Sequence, residues 1–177
     1  MEWILLIACY ITGGVIFYHD IKYRAVTWIA FPVLLVAGIL FNLVEHQQLS
    51  ILFANVLLNT CFLGIQFLLL WLYFLVKKNR SSLQSGIGGG DILFLFASCF
   101  FFSPLNFLLF YISSLIFSLA TFLILSGRIN KKRAEVTVPM AGLQSIFLQL
   151  FLTINVVFKN SFTSDSWILN RILLNDN

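Results

Sequence analysis

Charged residues are scarce in this chain. Only 10% of its 177 residues are charged, whereas 60% are hydrophobic and 20 are phenylalanine. A soluble domain of this length does not need so much apolar surface, but a bundle of membrane helices does. The composition therefore predicts an all-α, polytopic membrane helix bundle in contact with a lipid bilayer, and it argues against a soluble globular domain.

Cysteine is also rare, and its spacing excludes two kinds of site. Cys9, Cys61 and Cys99 stand singly in apolar runs, and no CxxC motif is present. This pattern is typical of packing residues and argues against a disulfide framework or a zinc site. No cluster of histidine and cysteine has metal-ligand spacing either, so we expect no bound metal.

The spans follow from the uncharged runs, since a membrane-spanning helix needs about 20 apolar residues. The runs cover residues 3–18, 25–44, 49–76, 92–126 and 138–158. The run 92–126 is too long for one helix, and Ser103-Pro104 predicts a turn that divides it in two. We expect about six transmembrane helices in a domain covering residues 1–158, followed by a short polar or interfacial tail at 159–177.

The basic residues predict the orientation of these spans. The net charge is +4, but nine of the 11 Lys and Arg residues lie in three alternate loops, 19–24, 77–91 and 127–137. The positive-inside rule places such loops in the cytoplasm, which puts both termini outside. We therefore expect a multi-pass protein of the plasma (inner) membrane, and we expect no nucleic-acid partner, because the basic residues only set topology.

Two of the four aspartates border long apolar runs. Asp165 and Asp176 lie in the polar tail, whereas Asp20 follows the first run and Asp91 precedes Ile92 at the start of another. A charge at membrane depth is costly and is usually kept for function. Two spans separate Asp20 from Asp91, so the chain returns both carboxylates to the same, cytoplasmic face.

Three glycines precede the second of these aspartates. Gly88, Gly89 and Gly90 lack a Cβ and allow another backbone to approach Asp91 closely, as an extended substrate strand would. A second interpretation is that Asp91 is a helix N-cap and the glycines are a plain linker. Asp20 alone could likewise be an acid that balances the nearby basic residues.

The combination of these residues resembles a known family. Asp20 together with Gly88-x-Gly90-Asp91 is similar to the GxGD aspartic peptidases of the type IV prepilin peptidase and preflagellin peptidase group. Arg24, four residues after Asp20, matches the arginine of that family's first motif. The resemblance extends over nearly the whole chain to about residue 158 and includes the order of the motifs and the expected topology.

The start of the last helix adds a third similarity and several departures. Pro139 follows a basic loop, like the proline-containing start of the family's last helix. Thr27 and Gly142 stand where the family often has proline, and Leu93 stands where it commonly has lysine. The family's larger members also carry an amino-terminal region with paired CxxC motifs, and this sequence contains no CxxC motif. The resemblance therefore implies a divergent short form without N-methyltransferase activity.

The resemblance implies an aspartic endopeptidase with Asp20 and Asp91 as the catalytic pair. Gly88, Gly89 and Gly90 would form the substrate approach, and Arg24 and Pro139 would support the site. Two close carboxylates share one proton, so one can activate water while the other protonates the leaving group. This chemistry needs no cofactor or metal. The implied substrate is a pilin-like or archaellin-like precursor with a short basic leader.

Three other classes of protein are alternatives. A presenilin-like intramembrane protease also uses GxGD, but its aspartates lie on adjacent helices and it carries a Pro-Ala-Leu motif that this chain lacks. A transporter or channel could place Asp20 and Asp91 along an ion path. A catalytically inactive assembly subunit is a third alternative. The sequence indicates neither the oligomeric state nor the role of each aspartate.

Overall fold

The computed structural model describes residues 2–23, 27–45, 48–76, 88–126, 140–158, 161 and 163–166. Within these ranges the chain forms six α-helices and no β-strand, so the predicted all-α class is confirmed. The helices are α1 (Glu2–Tyr23), α2 (Ala30–Val44), α3 (Leu49–Val76), α4 (Gly89–Ser98), α5 (Pro104–Ser126) and α6 (Met140–Phe158).

Three of the described helices, α1, α3 and α5, are long and apolar enough to cross a membrane. The helices α2, α4 and α6 are apolar but shorter. Many large apolar side chains point outward, with Trp28 70% exposed and Val76 85% exposed. Exposure of so many large apolar side chains is rare on soluble monomers, whereas lipid tolerates it. The protein is therefore a helical bundle embedded in a membrane.

The helix boundaries agree with the predicted turn and differ at the end of the first helix. The α4 helix ends at Ser98 and α5 begins at Pro104, as the Ser103-Pro104 pair predicted. Proline suits the first position of a helix, where no N–H is needed. By contrast, α1 continues to Tyr23, beyond the predicted end of its run at residue 18. Asp20 therefore lies in a helix and not in a loop.

Phenylalanine side chains fill the centre of the bundle. The ring of Phe102, in the α4–α5 turn, stacks on Phe110 of α5 with centroids 4.9 Å apart. It also meets the Phe151 ring of α6 edge-on at 5.4 Å. Offset and edge-to-face pairs of this kind add specific contacts to the burial of apolar area. These contacts hold the α4–α5 turn against α6.

Two buried asparagines anchor the same turn. The Asn59 side chain of α3 donates to the carbonyl oxygens of Cys99, at 3.2 Å, and Phe102, at 2.8 Å. Asn42 of α2 donates to the Phe100 carbonyl at 2.8 Å. Carbonyls at the end of a helix lack partners within it, and these side chains supply them. The short α4 helix is thereby fixed at its end.

The described residues after α6 close the far end of the bundle. The buried Thr163 donates its hydroxyl to Glu45 Oε2, just past α2, at 2.6 Å. Asp165 Oδ1 accepts from the hydroxyl of Ser103 in the α4–α5 turn at 2.5 Å. The described part of the predicted polar tail, residues 161 and 163–166, thus packs on the end of the bundle opposite the start of α6.

Candidate active site

Asp20 lies in the last turn of α1 and is buried against the start of α6. Its side chain is 8% exposed, and its Oδ2 accepts a hydrogen bond from the backbone N–H of Gly142 at 2.7 Å. One turn further along the seam, the Ser145 hydroxyl donates to the Gly13 carbonyl at 3.1 Å. The α1 and α6 backbones therefore lie close together along the seam that carries Asp20.

Asp91 occupies the first turn of α4 and is half-buried. Its Oδ1 accepts from the backbone N–H of Ala141 at 2.7 Å. Its Oδ2 accepts from the backbone N–H of Gly88 at 3.3 Å, within the same helix start. Both oxygens of this carboxylate thus have a fixed direction, one towards α6 and one towards its own chain.

The two carboxylates meet at the first turn of α6. Asp20 and Asp91 are 71 positions apart, yet they accept from the consecutive N–H groups of Gly142 and Ala141. The first N–H groups of a helix have no acceptor within it, and the helix dipole favours negative charge there. The structure therefore brings together the pair that the sequence placed on one face.

Gly88 affects Asp91 through the space that it leaves free and not through an unusual backbone angle. Gly88 is the N-cap of α4, with φ −71° and ψ 136°, which other residues also adopt. A Cβ at Gly88 would lie 3.0 Å from Asp91 Oδ2, whereas a Cβ at Gly89 would meet nothing within 4 Å. Gly90 follows in the helix and is half-buried.

The geometry corrects the interpretation of Asp91 as a helix N-cap. Gly88 holds that position, and Asp91 is the third residue of the helix, where its side chain accepts from the N-cap N–H. An acidic residue at this position supplies one half of a capping box. Asp91 thus contributes to the start of α4 and, through its other oxygen, reaches Ala141 of α6.

The two predicted supporting residues, Arg24 and Pro139, lie outside the described residues. His19, next to Asp20 in the sequence, has its Nδ1 3.2 Å from the hydroxyl of Thr27, in the segment that leads into α2. This contact gives His19 a local role in joining α1 to α2.

Sequence reasoning missed the two residues that hold the carboxylates. Ala141 and Gly142 act through backbone N–H groups, which every residue except proline has. The one available signal was Gly142 itself, because a proline at that position could not donate to Asp20. Glycine at a position where the family that the sequence resembles often has proline thus leaves an N–H free to bind Asp20.

The described residues contain no group of three or more His, Cys, Asp or Glu side chains that could hold a metal ion. What the site does offer is a pair of carboxylates able to exchange protons with a bound group. No family model matches the chain, and neither a curated protein nor a solved structure does.

Proposed function

We propose that this protein is an intramembrane aspartic endopeptidase. It removes the short basic leader from type IV prepilin-like or archaellin-like precursors at the cytoplasmic boundary of the membrane. The observation that carries the proposal is the convergence of Asp20 and Asp91 on the consecutive N–H groups of Ala141 and Gly142. Placing two carboxylates together in a poorly solvated position costs free energy, and such arrangements occur most often where a protein carries out acid–base chemistry.

The chemistry needs one proton on the pair. Two close carboxylates do not both ionise easily, so one is protonated while the other is charged. The charged carboxylate accepts a proton from water as the water oxygen attacks the scissile carbonyl carbon. The protonated one donates to the carbonyl oxygen. Collapse of the tetrahedral intermediate breaks the C–N bond, and the amine leaves with a proton from the pair.

The start of α6 positions the reacting groups. The N–H groups of Ala141 and Gly142 each hold one carboxylate oxygen at 2.7 Å, which fixes the orientation of both side chains. A preorganised pair avoids the cost of ordering two flexible acids during the reaction. The helix dipole at the same end compensates for the negative charge that the pair retains.

The surroundings of Asp91 suit an extended peptide at the membrane boundary. Asp91 is in the first turn of α4, and the neighbouring Gly89 has open space where a side chain would project. The α4 helix has ten residues, about 15 Å of length, against a hydrocarbon core of about 30 Å. A precursor's apolar helix would lie in the bilayer while its basic leader reached the cytoplasm past this glycine segment.

Conservative replacement of each aspartate tests the proposal. Asp20→Asn and Asp91→Asn keep the side-chain volume and an oxygen acceptor for the α6 N–H groups but remove the acid. Each variant should insert normally into membranes and fail to remove the leader from a co-expressed precursor. Asp165→Asn is the matched control, since Asp165 binds Ser103 in the α4–α5 turn and should leave cleavage intact.

The outcomes separate the peptidase from the other classes. Leader removal by either Asp20→Asn or Asp91→Asn would reject the catalytic pair. If the wild-type protein cleaves no precursor, and if both variants abolish a flux that depends on an ion gradient, the carboxylates belong to a transport path. Loss of cleavage in both variants, with Asp165→Asn active, supports the peptidase.

A further inference from the structure

Gln144 is a polar side chain without a partner in the interior of the bundle. It is 0% exposed, and neither its Nε2 nor its Oε1 has a hydrogen-bond partner among the described residues. A side-chain amide offers two N–H donors and an oxygen acceptor. Buried groups of this kind are almost always bonded to protein or to ordered water. Gln144 is therefore positioned to form hydrogen bonds with a bound polar molecule.

The helix register puts Gln144 close beneath the carboxylates. The α4 and α6 helices run parallel, because Asp91 meets Ala141 near their starts and Phe102 meets Phe151 further along. Gln144 is three residues beyond Ala141, about 4.5 Å deeper along the axis. Phe94, which is 0% exposed, is three residues beyond Asp91 and lies at the same depth on α4.

A second unpartnered polar group lies at this depth. Ser118 of α5 is 1% exposed, and its hydroxyl has no hydrogen-bond partner among the described residues. The α5 and α6 helices are antiparallel, since the Phe110 ring meets Phe151 at 6.0 Å and the Phe117 ring, further along α5, meets the earlier Phe147 at 5.4 Å. This register puts Ser118 within about 3 Å of Gln144 along the helix axis.

Helix geometry does not by itself prevent a serine hydroxyl such as that of Ser118 from forming a hydrogen bond. Ser114, one turn earlier on the same buried side of α5, donates to the carbonyl of Tyr111 at 2.9 Å. A buried serine in a helix can therefore satisfy its hydroxyl locally, as Ser114 does. Ser118 of α5 and Gln144 of α6 thus lie at a similar depth, near the paired rings of Phe117 and Phe147.

We propose that Gln144 and Ser118 bind water inside the bundle, about one helical turn from Asp20 and Asp91. Together they offer both donors and acceptors, which is what an internal water with two to four partners requires. The pair contains neither a carboxylate nor an imidazole, so it does not suit a metal ion. Resting on the proposed function, the bound water is the reactant for hydrolysis, since each peptide bond cleaved consumes one water and Asp20, at 8% exposure, has little contact with bulk water.

Hydroxyl-radical labelling of the protein in nanodiscs tests the site without reference to activity. X-ray radiolysis generates the radical from water, so a fully buried ring is labelled only where water lies beside it. Phe94 is the reporter and Phe41, also 0% exposed, is the reference for dry core. We expect Phe94 to be labelled above Phe41 in the wild-type protein. The difference should disappear in Gln144→Met and shrink in Ser118→Ala.

A matched control separates the site from a general effect of losing an amide. Gln149 is on the same helix, but its Nε2 donates to the Tyr10 carbonyl of α1 at 3.3 Å. Gln149→Met should therefore leave the labelling of Phe94 unchanged. A second measurement is the unfolding temperature. Replacing a dry, unpaired Gln144 by methionine of similar volume would raise it, whereas replacing a water-bound Gln144 would not.

Each outcome bears on a different part of the proposal. Equal labelling of Phe94 and Phe41 in the wild type overturns the water site. Labelling that persists in Gln144→Met, or a higher unfolding temperature for that variant, rejects Gln144 as its holder. With the site established by labelling, a lower kcat for precursor cleavage in Gln144→Met at unchanged KM supports the supply of reactant water. Wild-type kcat in that variant rejects the supply role, and absence of cleavage by the wild type rejects the peptidase but not the site.

Discussion

Gly142 lies directly against Asp20. Its backbone N–H donates to Oδ2 of Asp20 at 2.7 Å, and a Cβ at position 142 would lie 3.0 Å from that same oxygen. The close contact with Asp20 therefore has two requirements at position 142, a backbone N–H that can donate and the absence of a side chain. Alanine would satisfy only the first requirement, and proline would satisfy neither.

Gly142→Ala should slow precursor cleavage about tenfold, because small displacements of a reacting group are costly to the rate. The added methyl group would also lie 3.2 Å from the Asp20 Cβ and 3.4 Å from the Phe17 Cα, so α1 must shift by a few tenths of an ångström. Gly14→Ala on α1 is the control, since a Cβ there meets nothing within 4 Å. The measurement is the rate of leader removal in membranes with equal amounts of each variant.

Gly142→Pro gives the sharper comparison, because the family that the sequence resembles often has proline at this position. It removes the N–H that Asp20 accepts, so we expect cleavage to fall at least as far as in Gly142→Ala. A Gly142→Pro variant as active as the wild type would show that the backbone hydrogen bond to Asp20 is dispensable.

Gly88→Ala should impair cleavage more than Gly89→Ala. The methyl group at position 88 would crowd Asp91 Oδ2 at 3.0 Å, whereas position 89 is open. Alanine also favours the helix more than glycine does by about 1 kcal/mol, so Gly89→Ala should not destabilise α4. Cleavage assays on the two variants, together with their unfolding temperatures, check this order. Equal activity of both variants would contradict crowding of the carboxylate.

Asn59→Ala should destabilise the bundle by about 1–3 kcal/mol, because it removes the two hydrogen bonds that the Asn59 side chain donates to carbonyl groups of the α4–α5 turn. Asn55→Ala is the matched control on the same helix. Its side chain makes a 3.4 Å bond to the Thr163 carbonyl, so the expected loss is about 0.6 kcal/mol or less. Unfolding titrations with a denaturing detergent measure both changes. Similar losses for both variants would mean that Asn59 does not anchor the turn.

The basic loops predict a specific labelling pattern in intact cells. Cysteines introduced at Arg80 and Lys131, which lie outside the described residues, should be protected from a membrane-impermeant thiol reagent until the membrane is opened. Cys9, Cys61 and Cys99 are free and should first be replaced, since Cys61 is exposed. Labelling of either position from outside would reverse the topology and remove the cytoplasmic placement of the carboxylates.

Local sequence patterns were sufficient to predict the helices and their approximate first and last residues. Apolar runs between charged loops predicted the six described helices in order, and Ser103-Pro104 predicted the break between α4 and α5. Hydrophobicity and turn chemistry act over neighbouring residues, so a single sequence carries these signals. The two helices predicted between Asp20 and Asp91 also placed the two carboxylates at the same end of the bundle.

The sequence by itself determined which elements form and which two acids share an end of the bundle. Only the tertiary structure decided that Asp20 lies within α1, that Asp165 packs on the α4–α5 turn, and that Ala141 and Gly142 hold the pair. Almost every residue has a backbone N–H, so the sequence does not mark the few that remain unpaired at a helix start. Which carboxylate reaches them depends on how α1, α4 and α6 pack, and that contact joins residues far apart in the chain.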